Sequence, residues 1–479
     1  MKRVRTRFAP SPTGFMHLGG LRTALYAYLY AKSNGGDFIL RIEDTDQQRY
    51  VEGAIDVIYN SLKESGLYYD EGPDIGGNYG PYVQSERKEI YAEYAKKLID
   101  LGGAYYCFCS KERLESLTDA KGNRKYDKHC LHLPKEEVER RIAAGEPYVI
   151  RQNIPTEGTS SYEDLIYGTI NVDYDELEDN ILIKSDGMPT YNFANVIDDH
   201  LMGITHVIRG TEYLSSTPKY NLMYDAFGWE RPVYIHLPTI MKDATRKLSK
   251  RYGDANFDDF VNKGYLKEAI INYVALLGWA PKDNVEKMTL SEMIEKFSLD
   301  GISKSPSIFD EVKLRWLNGE YIRALGEEEF YEAALPFLQK SKVNGKYDLK
   351  KIAKLLHGRT EVLGEIPEKI DWLAEIEPYD LSLYDNKKNK TDREVAKNLL
   401  PEIKKYLAEI DDFSNDNLYQ TLSAKAAEAG IKSGALFWIM RIAITGQGVT
   451  PGGATEMAAL LGKEETLERI DFSMDLLNK

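Results

Sequence analysis

Short apolar runs and helical repeats alternate over the first part of the chain. The apolar run at 4–8 ends before a loop rich in proline and glycine, and it predicts a strand. From 18 to 32 the apolar residues recur at helical spacing, and the Asn-Gly-Gly at 34–36 is typical of the end of a helix. A second apolar run at 38–42 predicts a buried strand. The order strand, loop, helix, strand indicates the opening of a parallel α/β sheet.

A different pattern interrupts this rhythm between about 105 and 189, where a charged helix and all the cysteines occur. We interpret this segment as an insertion. Strand-like runs return at 206–209 and 233–236, and beyond about 256 the pattern is mostly helical, with charged linkers such as 385–390. Further predicted helices lie at 53–66, 85–102 and 135–144.

Composition narrows the class of protein. The 479 residues carry a formal net charge of −14 and are 43 % hydrophobic, which suits several buried cores but not a protein that coats nucleic acid through its charge. Cys107, Cys109 and Cys130 are the only cysteines, an odd and small number for a disulfide framework. The basic N-terminus is not followed by the apolar run of a secretory signal, and no stretch approaches the roughly 18 apolar residues of a membrane helix. We therefore expect a cytoplasmic protein.

Residues 7–20, Arg-Phe-Ala-Pro-Ser-Pro-Thr-Gly-Phe-Met-His-Leu-Gly-Gly, run from a strand through a rigid loop into the first turn of a helix. Free N–H groups and the helix dipole at that end favour anions, and the glycines let a nucleotide approach the backbone. Arg7 and Glu43 both lie near the carboxyl ends of predicted parallel strands, where open sheets bind ligands. A plain strand-to-helix turn with a capping loop is the alternative interpretation.

A basic loop that contains a serine lies far along the chain at 246–251, Arg-Lys-Leu-Ser-Lys-Arg. Lys247 and Lys250 can clamp a polyphosphate and neutralise the charge that develops on a leaving pyrophosphate. Taken alone, the loop is a weak signal, and a solvated basic surface loop is the favoured interpretation.

Together the two motifs resemble those of the bacterial type of glutamyl-tRNA synthetase, a class I aminoacyl-tRNA synthetase family. Residues 17–20, His-Leu-Gly-Gly, resemble the family's His-x-Gly-His signature, and residues 247–251 resemble its Lys-Met-Ser-Lys-Ser signature. Gly20 replaces the second histidine and Arg251 the last serine, and such departures are common in the glutamate branch. The resemblance extends over essentially the whole chain and is most specific at 38–46, 185–203, 207–212 and 309–322.

This resemblance implies a pocket that satisfies the two carboxylates and the ammonium of glutamate. It implies that Arg7, Tyr191 and Arg209 surround the carboxylates, chiefly that of the side chain, because a guanidinium pairs a carboxylate bidentately. Glu43 would form an ion pair with the ammonium. A neutral glutamine would leave an arginine unpaired, which gives discrimination. The alternative for Arg209 is a structural salt bridge at the end of a strand. The other residues implied at the amino acid are Ala9, Ser11 and Asn195.

The reaction that the resemblance implies needs no protein nucleophile. The α-carboxylate of glutamate attacks the α-phosphorus of ATP, which carries magnesium, and a hydroxyl of the terminal tRNA ribose, the 2′ hydroxyl in class I, then attacks the adenylate. His17 would contact the phosphates, and Lys247 and Lys250 would close over them. The family also implies that activation waits for bound tRNA. The residues implied at ATP are Pro10, Gly14, His17, Gly19, Gly20, Glu212, Lys247, Leu248, Ser249 and Lys250.

The cysteines predict a structural zinc site. Cys107-x-Cys109 and Cys130-x-His132 supply three sulfurs and one imidazole, a tetrahedral ligand set, and binding would be coupled to local folding. Related enzymes carry the same pairs, although many have lost them. Shortened relatives use a tyrosine at the spacing of Tyr126, so the fourth ligand is either His132 or Tyr126. Three unconnected buried thiols are the alternative.

The resemblance also implies the architecture: a Rossmann-type parallel-sheet catalytic domain with an inserted α+β subdomain, followed by an all-α anticodon-binding region. Arg359 lies where the family places an arginine that reads an anticodon base, as readers of single-stranded RNA do. An exposed helix arginine is the alternative. The expected divisions are catalytic halves at 1–105 and 191–255, an acceptor-binding zinc subdomain at 106–190, a stem-contact helical domain at 256–320 and the anticodon-binding domain at 321–479.

We thus predict a monomeric ligase whose partners are glutamate, ATP and tRNA(Glu). One alternative is a non-discriminating enzyme that also charges tRNA(Gln) with glutamate, and another is a glutaminyl-tRNA synthetase. A truncated paralogue that glutamylates a modified tRNA base lacks an anticodon domain, so the long helical C-terminus disfavours it. From a different class, the chain could be a catalytically silent tRNA-binding protein, which the presence of His17, Lys247 and Lys250 opposes.

Overall fold

The computed structural model describes residues 2–46, 48–117, 125–248 and 256–479. The chain divides into two compact units. The first comprises residues 1–260 and 267–311, and the second comprises residues 261–266 and 312–479.

Strands occur in the first unit, and the predicted parallel opening is confirmed. β1 (Arg5–Phe8) pairs in parallel with β2 (Asp37–Leu40). The remaining strands are β3 (Ala104–Cys107), β4 (Val149–Gln152), β5 (Thr159–Asp164), β6 (Gly168–Asp173), β7 (Ile181–Ile183), β8 (His206–Gly210), β9 (Val233–Leu237), β10 (Ile240–Met241) and β11 (Ser307–Ile308).

The sheet that positions the site is mixed. β8 and β9 are parallel, β9 is parallel to β5, and β5 pairs antiparallel with β6, in the order β6-β5-β9-β8. β1 lies beside β8, because the Thr205 amide donates to the Arg5 carbonyl over 3.0 Å and the Arg5 amide donates to Thr205 Oγ1 over 2.8 Å. The predicted insertion therefore has two parts: the antiparallel sheet β3-β4-β7 stands apart from the main sheet, whereas β5 extends it.

The first helix, α1 (Leu18–Ser33), begins after His17 and ends at Asn34, as predicted. Gly36 brings the chain back beside the first strand, since a Cβ at this position would lie 2.2 Å from the Val4 carbonyl oxygen. The other helices up to residue 300 are α2 (Ala54–Glu64), α3 (Lys88–Asp100), α4 (Lys111–Ser116), α5 (Lys135–Ala143), α6 (Tyr191–Leu201), α7 (Thr217–Phe227), α8 (Phe257–Asn262), α9 (Lys267–Leu276) and α10 (Leu290–Lys296).

The second unit is helical, and residues 312–479, all of which the structure describes, contain no strand. Its apolar core includes Leu400, Ile403, Leu436, Ile439 and Ile470, all fully buried. The helices are α11 (Glu311–Ala324), α12 (Glu327–Leu338), α13 (Leu349–Leu356), α14 (Ile366–Ile370), α15 (Arg393–Ala408), α16 (Asn415–Glu428), α17 (Ser433–Thr445), α18 (Ala454–Leu461) and α19 (Lys463–Asn478).

The main boundary between the two compact units falls near residue 311. The finer five-part division given above stays a prediction. None of the helices in the described ranges is long and apolar enough to span a membrane.

Candidate active site

A cavity of about 440 Å³ opens where β1, β2 and β8 end. This edge of a sheet is where α/β folds bind ligands, and the volume lies within the range of small-molecule sites. The lining residues are Arg7, Phe8, Ala9, Ser11, Gly20, Thr23, Glu43, Thr45, Asp46, Arg49, Tyr191, Ile208, Arg209, Gly210, Glu212 and Tyr213.

Asp199, at the buried end of α6, holds two arginines below the cavity. Arg7 Nε and Nη2 donate to its two carboxylate oxygens over 3.0 and 3.3 Å, and Arg41 Nη1 donates to Oδ1 over 2.7 Å. Burial opposes ionisation of Asp199, but the charges of Arg7 and Arg41 prevail and hold its pKa below the usual value. The bidentate edge of Arg7 is therefore already occupied by an acid of the protein itself.

The same network continues to two further acids. Arg41 Nη2 donates to Glu43 Oε1 over 2.9 Å, and Arg87 Nε donates to Asp198 Oδ1 over 2.8 Å. Burial raises the pKa of Glu43 although Arg41 opposes this, so a nearby cation from a ligand would stabilise its charge. With the pairs around Asp199, three guanidiniums and three carboxylates balance one another.

Arg209, by contrast, has no carboxylate within ion-pair distance among the described residues. It is 5 % exposed, its Nε donates to His236 Nε2 over 3.2 Å, and its Nη2 donates to Thr217 Oγ1 over 2.7 Å. Both partners are neutral. The alternative of a structural salt bridge at a strand end is therefore wrong for the described structure, and a buried cation without a balancing anion lines the cavity.

Aromatic rings surround this cation. The Arg209 guanidinium lies 4.8 Å from the ring centre of Tyr220, 5.1 Å from that of Tyr213 and 5.5 Å from that of Tyr234. Such contacts stabilise a cation without neutralising it. Burial raises the pKa of Tyr191, whose ring packs against Tyr213, so its hydroxyl stays protonated and able to donate to an anion.

The structure brings together eight of the sequence-predicted residues and leaves others outside the lining. Asn195 lies one turn after Tyr191, and its amide donates to the Tyr191 carbonyl over 2.6 Å. Ser249 and Lys250 lie outside the described residues. The predicted residues in the lining are Arg7, Ala9, Ser11, Gly20, Glu43, Tyr191, Arg209 and Glu212, and those outside it are Pro10, Gly14, His17, Gly19, Asn195, Lys247 and Leu248.

His17 caps the first helix. Its Nδ1 accepts a hydrogen bond from the Gly19 amide over 3.0 Å, so the ring proton is on Nε2 and the ring can donate from that atom. Gly19 leaves room for this contact, because a Cβ there would lie 3.2 Å from Nδ1. One of the helix N–H groups expected to be free is thus used by the cap.

The basic loop begins as a turn. The Leu248 amide donates to the Ile240 carbonyl over 3.1 Å, and Lys247 forms an antiparallel bridge with Met241. Lys247 is exposed and stands outside the cavity lining. The predicted approach of this loop to phosphates therefore stays a prediction.

Sequence reasoning missed the acids that hold the pocket arginines. Asp198 and Asp199 are adjacent, and both lie on a stretch of α6 that is buried from Phe193 to Asp199. Adjacent acids inside an apolar helix were the available signal, because buried carboxylates require cations. Gly210 was also missed: a Cβ there would lie 2.1 Å from Glu212 Oε2, so only glycine lets this side chain fold back over the strand end.

The cysteines form the predicted cluster. Their three sulfurs lie within 4.8 Å of one another, and Cys109 Sγ and Cys130 Sγ are 3.6 Å apart, close to the roughly 3.8 Å edge of a tetrahedral zinc–thiolate site. Tyr126 Oη lies 3.2 Å from Cys107 Sγ and 3.4 Å from Cys109 Sγ, whereas His132 is exposed and outside the cluster. The alternative of unconnected thiols is wrong.

The second unit has its own large cavity, of about 820 Å³. Arg359 is exposed at its edge and donates from Nη1 to the Thr450 carbonyl over 3.3 Å. Lys351, Lys354 and Phe413 line the same cavity. Cations next to an aromatic ring are the combination that binds phosphates and unstacked bases.

Comparison with known protein families divides the chain in a similar way. Residues 3–316 match the family described as tRNA synthetases class I (E and Q), catalytic domain. Residues 329–474 match the family described as anticodon binding domain. No strand interrupts this second match, in agreement with the predicted helical region.

Full-length relatives indicate the same family. A glutamate–tRNA ligase of Clostridium botulinum (strain Eklund 17B) is 57 % identical over 482 residues, which cover 99 % of each chain. That of Clostridium tetani is 57 % identical over 479 residues, 99 % of this chain and 98 % of the relative. The crystal structure of a glutamate tRNA ligase from Elizabethkingia meningosepticum in complex with its amino acid matches with a TM-score of 0.89 at 36 % identity and covers 99 % of both chains. This chain belongs to the glutamate–tRNA ligase family of class I aminoacyl-tRNA synthetases.

Proposed function

We propose that this protein activates glutamate with ATP and transfers the glutamyl group to the 3′-terminal adenosine of tRNA(Glu). The observation that carries the proposal is Arg209, a buried guanidinium at the cavity wall with only neutral partners among the described residues. An anionic side chain entering the cavity would complete a bidentate ion pair, whereas a neutral amide would leave the cation unbalanced.

The other lining residues support an amino acid held in one orientation. Glu43 is a buried acid beside the cavity and would receive the ammonium, and Ser11 lies at the mouth. Tyr191 would donate from its hydroxyl to a carboxylate. Arg7 adds positive potential, but Asp199 occupies its bidentate edge, so we assign the side-chain carboxylate to Arg209. Asn195 would reach the substrate only after its bond to the Tyr191 carbonyl breaks.

ATP, with its magnesium, would lie along the start of α1. Gly20 and Glu212 line this part of the cavity, and Nε2 of His17 would donate to a phosphate oxygen. Lys247 and Lys250 would bring positive charge to the departing pyrophosphate. Lys247 stands outside the cavity lining, so it would have to approach the phosphates. The α-carboxylate of glutamate then attacks the α-phosphorus, and a ribose hydroxyl of the tRNA attacks the resulting adenylate; the protein contributes position and charge.

ATP–pyrophosphate exchange and tRNA charging test this proposal together. We expect exchange with glutamate in the presence of tRNA(Glu), none with glutamine, and glutamyl-tRNA(Glu) as product. Charging of tRNA(Gln) in parallel decides whether the enzyme is non-discriminating, an alternative that the names of the relatives do not favour. Binding of tRNA without exchange or charging would contradict the proposal and favour a catalytically silent protein.

The cysteine cluster fits a structural Zn²⁺ with Cys107, Cys109 and Cys130 as thiolate ligands. A hydrogen bond from Cys130 lowers the pKa of Cys107, and Arg151 Nε donates to the same sulfur over 3.4 Å, so a thiolate is stabilised there. We assign the fourth position to Tyr126 rather than to His132, because its oxygen already lies among the sulfurs. The ion would cross-link the inserted subdomain.

The two candidates for the fourth ligand can be separated by metal content. We expect about one zinc per chain by elemental analysis of the purified protein, because three thiolates and one oxygen complete a tetrahedral set. Tyr126→Phe should lower the zinc content and speed its loss to a chelator, whereas His132→Ala, the matched control, should leave both unchanged. The reverse result would identify His132 as the ligand.

We propose that the cavity of the second unit binds the anticodon loop, with Arg359 as a base-reading residue. Arg359→Ala should raise KM for tRNA(Glu) by about 5- to 150-fold, the loss of one good base contact, and leave KM for glutamate and ATP within about twofold. Lys397, an exposed lysine outside this cavity, provides the control: Lys397→Ala should match the parent. Equal KM values for tRNA in all three proteins would contradict this assignment.

We also propose that the enzyme works as a cytoplasmic monomer, in line with its role in translation. Light scattering of the full chain at working concentration checks the monomer.

A further inference from the structure

We propose that His236, held by Asp164, is a positioning residue that aims Arg209 at the side-chain carboxylate of the amino acid. The inference rests on the proposed function, because it presupposes that Arg209 reads glutamate. It concerns two residues, His236 and Asp164, that do not line the cavity.

The three side chains form a buried chain of hydrogen bonds. Asp164 Oδ2 lies 2.7 Å from His236 Nδ1 and also accepts from the His236 amide over 3.0 Å. On the other side of the ring, Nε2 lies 3.2 Å from Arg209 Nε. The side chains of His236 and Asp164 are both 0 % exposed, so water does not compete for these contacts.

The partners determine the protonation of the histidine. Arginine can only donate, so Nε2 of His236 must accept and carries no proton. Nδ1 then carries the ring proton and donates it to Asp164. Burial lowers the pKa of His236, against the opposing effect of Asp164, which agrees with a neutral ring. Asp164 is itself held in place, because its Oδ1 accepts from the amides of Ile166 and Tyr167, both over 2.9 Å.

This arrangement uses one edge of the guanidinium and leaves the other for a ligand. Nε and Nη2 form the edge that donates to His236 and Thr217. Thr217 Oγ1 in turn donates to the Tyr213 carbonyl over 2.8 Å, so its lone pair faces Arg209. Nη1 and the second hydrogen of Nη2 form the opposite edge, and Nη1 has no hydrogen-bond partner in the parts of the chain that the structure describes.

A guanidinium restrained in this way loses little freedom when a carboxylate binds, which is the advantage of preorganisation. The neutrality of His236 matters as much as its position. An acid in its place would supply Arg209 with an internal counter-ion, as Asp199 does for Arg7, and Arg209 would no longer depend on the substrate for a balancing anion. The site therefore combines one arginine balanced by the protein with one that only the substrate balances.

Two substitutions of His236 separate its two hydrogen bonds. In His236→Asn the amide nitrogen takes the place of Nδ1 and keeps the contact with Asp164, but no acceptor reaches Arg209. In His236→Gln the longer side chain presents its carbonyl oxygen where Nε2 was. With the full chain, tRNA(Glu) and magnesium ATP, we expect His236→Asn to raise KM for glutamate by about 10- to 100-fold, the effect of one hydrogen bond to a charged group. KM for ATP should change by less than about twofold, and His236→Gln should recover most of the loss.

The outcomes distinguish this inference from the function on which it rests. If Arg209→Ala impairs glutamate use but His236→Asn leaves KM for glutamate unchanged, or if His236→Asn raises both KM values and the Gln variant recovers nothing, the positioning role is wrong and the proposed function stands. If Arg209→Ala itself leaves glutamate use intact, the proposed function fails first.

A measurement on the unaltered protein provides an independent test. The chain has seven histidines, so selective ¹⁵N labelling of the rings is tractable, and His236→Gln assigns the signal. We expect the neutral tautomer with the proton on Nδ1 near neutral pH. A proton on Nε2, in either a neutral or a charged ring, would overturn the inference, because Arg209 Nε then has no acceptor there.

Discussion

Arg209→Ala is expected to lower kcat/KM for glutamate by roughly 30- to 5,000-fold, which corresponds to the about 2–5 kcal/mol lost when one partner of a buried charge pair is truncated. The guanidinium is the cation at the cavity wall that lacks a carboxylate partner among the described residues. Aminoacylation of tRNA(Glu) at saturating ATP measures the effect. KM for ATP should remain within about twofold of the parent, because the predicted phosphate contacts lie at the start of α1.

Arg231 provides a matched control for this prediction. It is another arginine of the first unit, but it is partly exposed and pairs with Asp225 outside the cavity. Arg231→Ala should leave kcat/KM for glutamate within about twofold, since exposed ion pairs contribute roughly 0–1 kcal/mol. A similar loss in both variants would show that the Arg209 effect arises from general destabilisation.

Asp199→Asn should have the largest effect on stability. The carboxylate accepts hydrogen bonds from both Arg7 and Arg41, and all three side chains are buried. The substitution removes the negative charge that both guanidiniums share. Removing one partner of a buried ion pair costs about 3–5 kcal/mol, because the other partner stays buried without its counter-charge. Hydrogen exchange of peptides that cover β1 and β8 measures the local loss, because the chain has two compact units and such chains commonly depart from two-state unfolding.

The exposed acid Asp225 is the control for Asp199. Asp225→Asn should change protection of the same peptides by less than about 1 kcal/mol. The Asp199 effect should also depend on pH with a definite sign. Because its pKa is depressed in the folded protein, the carboxylate stabilises the fold at neutral pH, and this contribution disappears as the pH falls through the folded pKa. Parent and variant should therefore converge in acid, and a difference that grows in acid would contradict this account of the network.

The sequence predicted the elements of the site better than their partners. β1, α1 and β2 follow from apolar runs and from the glycines after Asn34, which are local signals. The pairing of Arg7 with Asp199 joins residues 192 positions apart, and the pairing of His236 with Asp164 joins residues 72 apart. The periodicity of the sequence does not predict such pairs, because they form only when strands and helices pack together.

The proposed zinc ligands illustrate the same limit. Spacing in the sequence indicated the three cysteines as ligands. It left both Tyr126 and His132 as candidates for the fourth ligand, since both lie within four residues of Cys130. Only the fold distinguishes them, because it brings the Tyr126 oxygen against two sulfurs and leaves His132 exposed, and it is the basis on which we propose Tyr126. Likewise, an arginine at the end of a strand predicts a partner anion, but the sequence does not say whether the protein supplies that anion. Asp199 pairs with Arg7, whereas no carboxylate of the described residues pairs with Arg209.

We propose that the unbalanced positive charge of Arg209 selects an acidic amino acid. A thermodynamic cycle tests it most directly: kcat/KM for glutamate and for glutamine, each measured with tRNA(Glu), in the parent and in Arg209→Gln. We expect the substitution to impair the use of glutamate far more than that of glutamine, so that the ratio of the two kcat/KM values falls at least about 30-fold, as for a buried charge pair. An unchanged ratio, with both amino acids weakened alike, would contradict it.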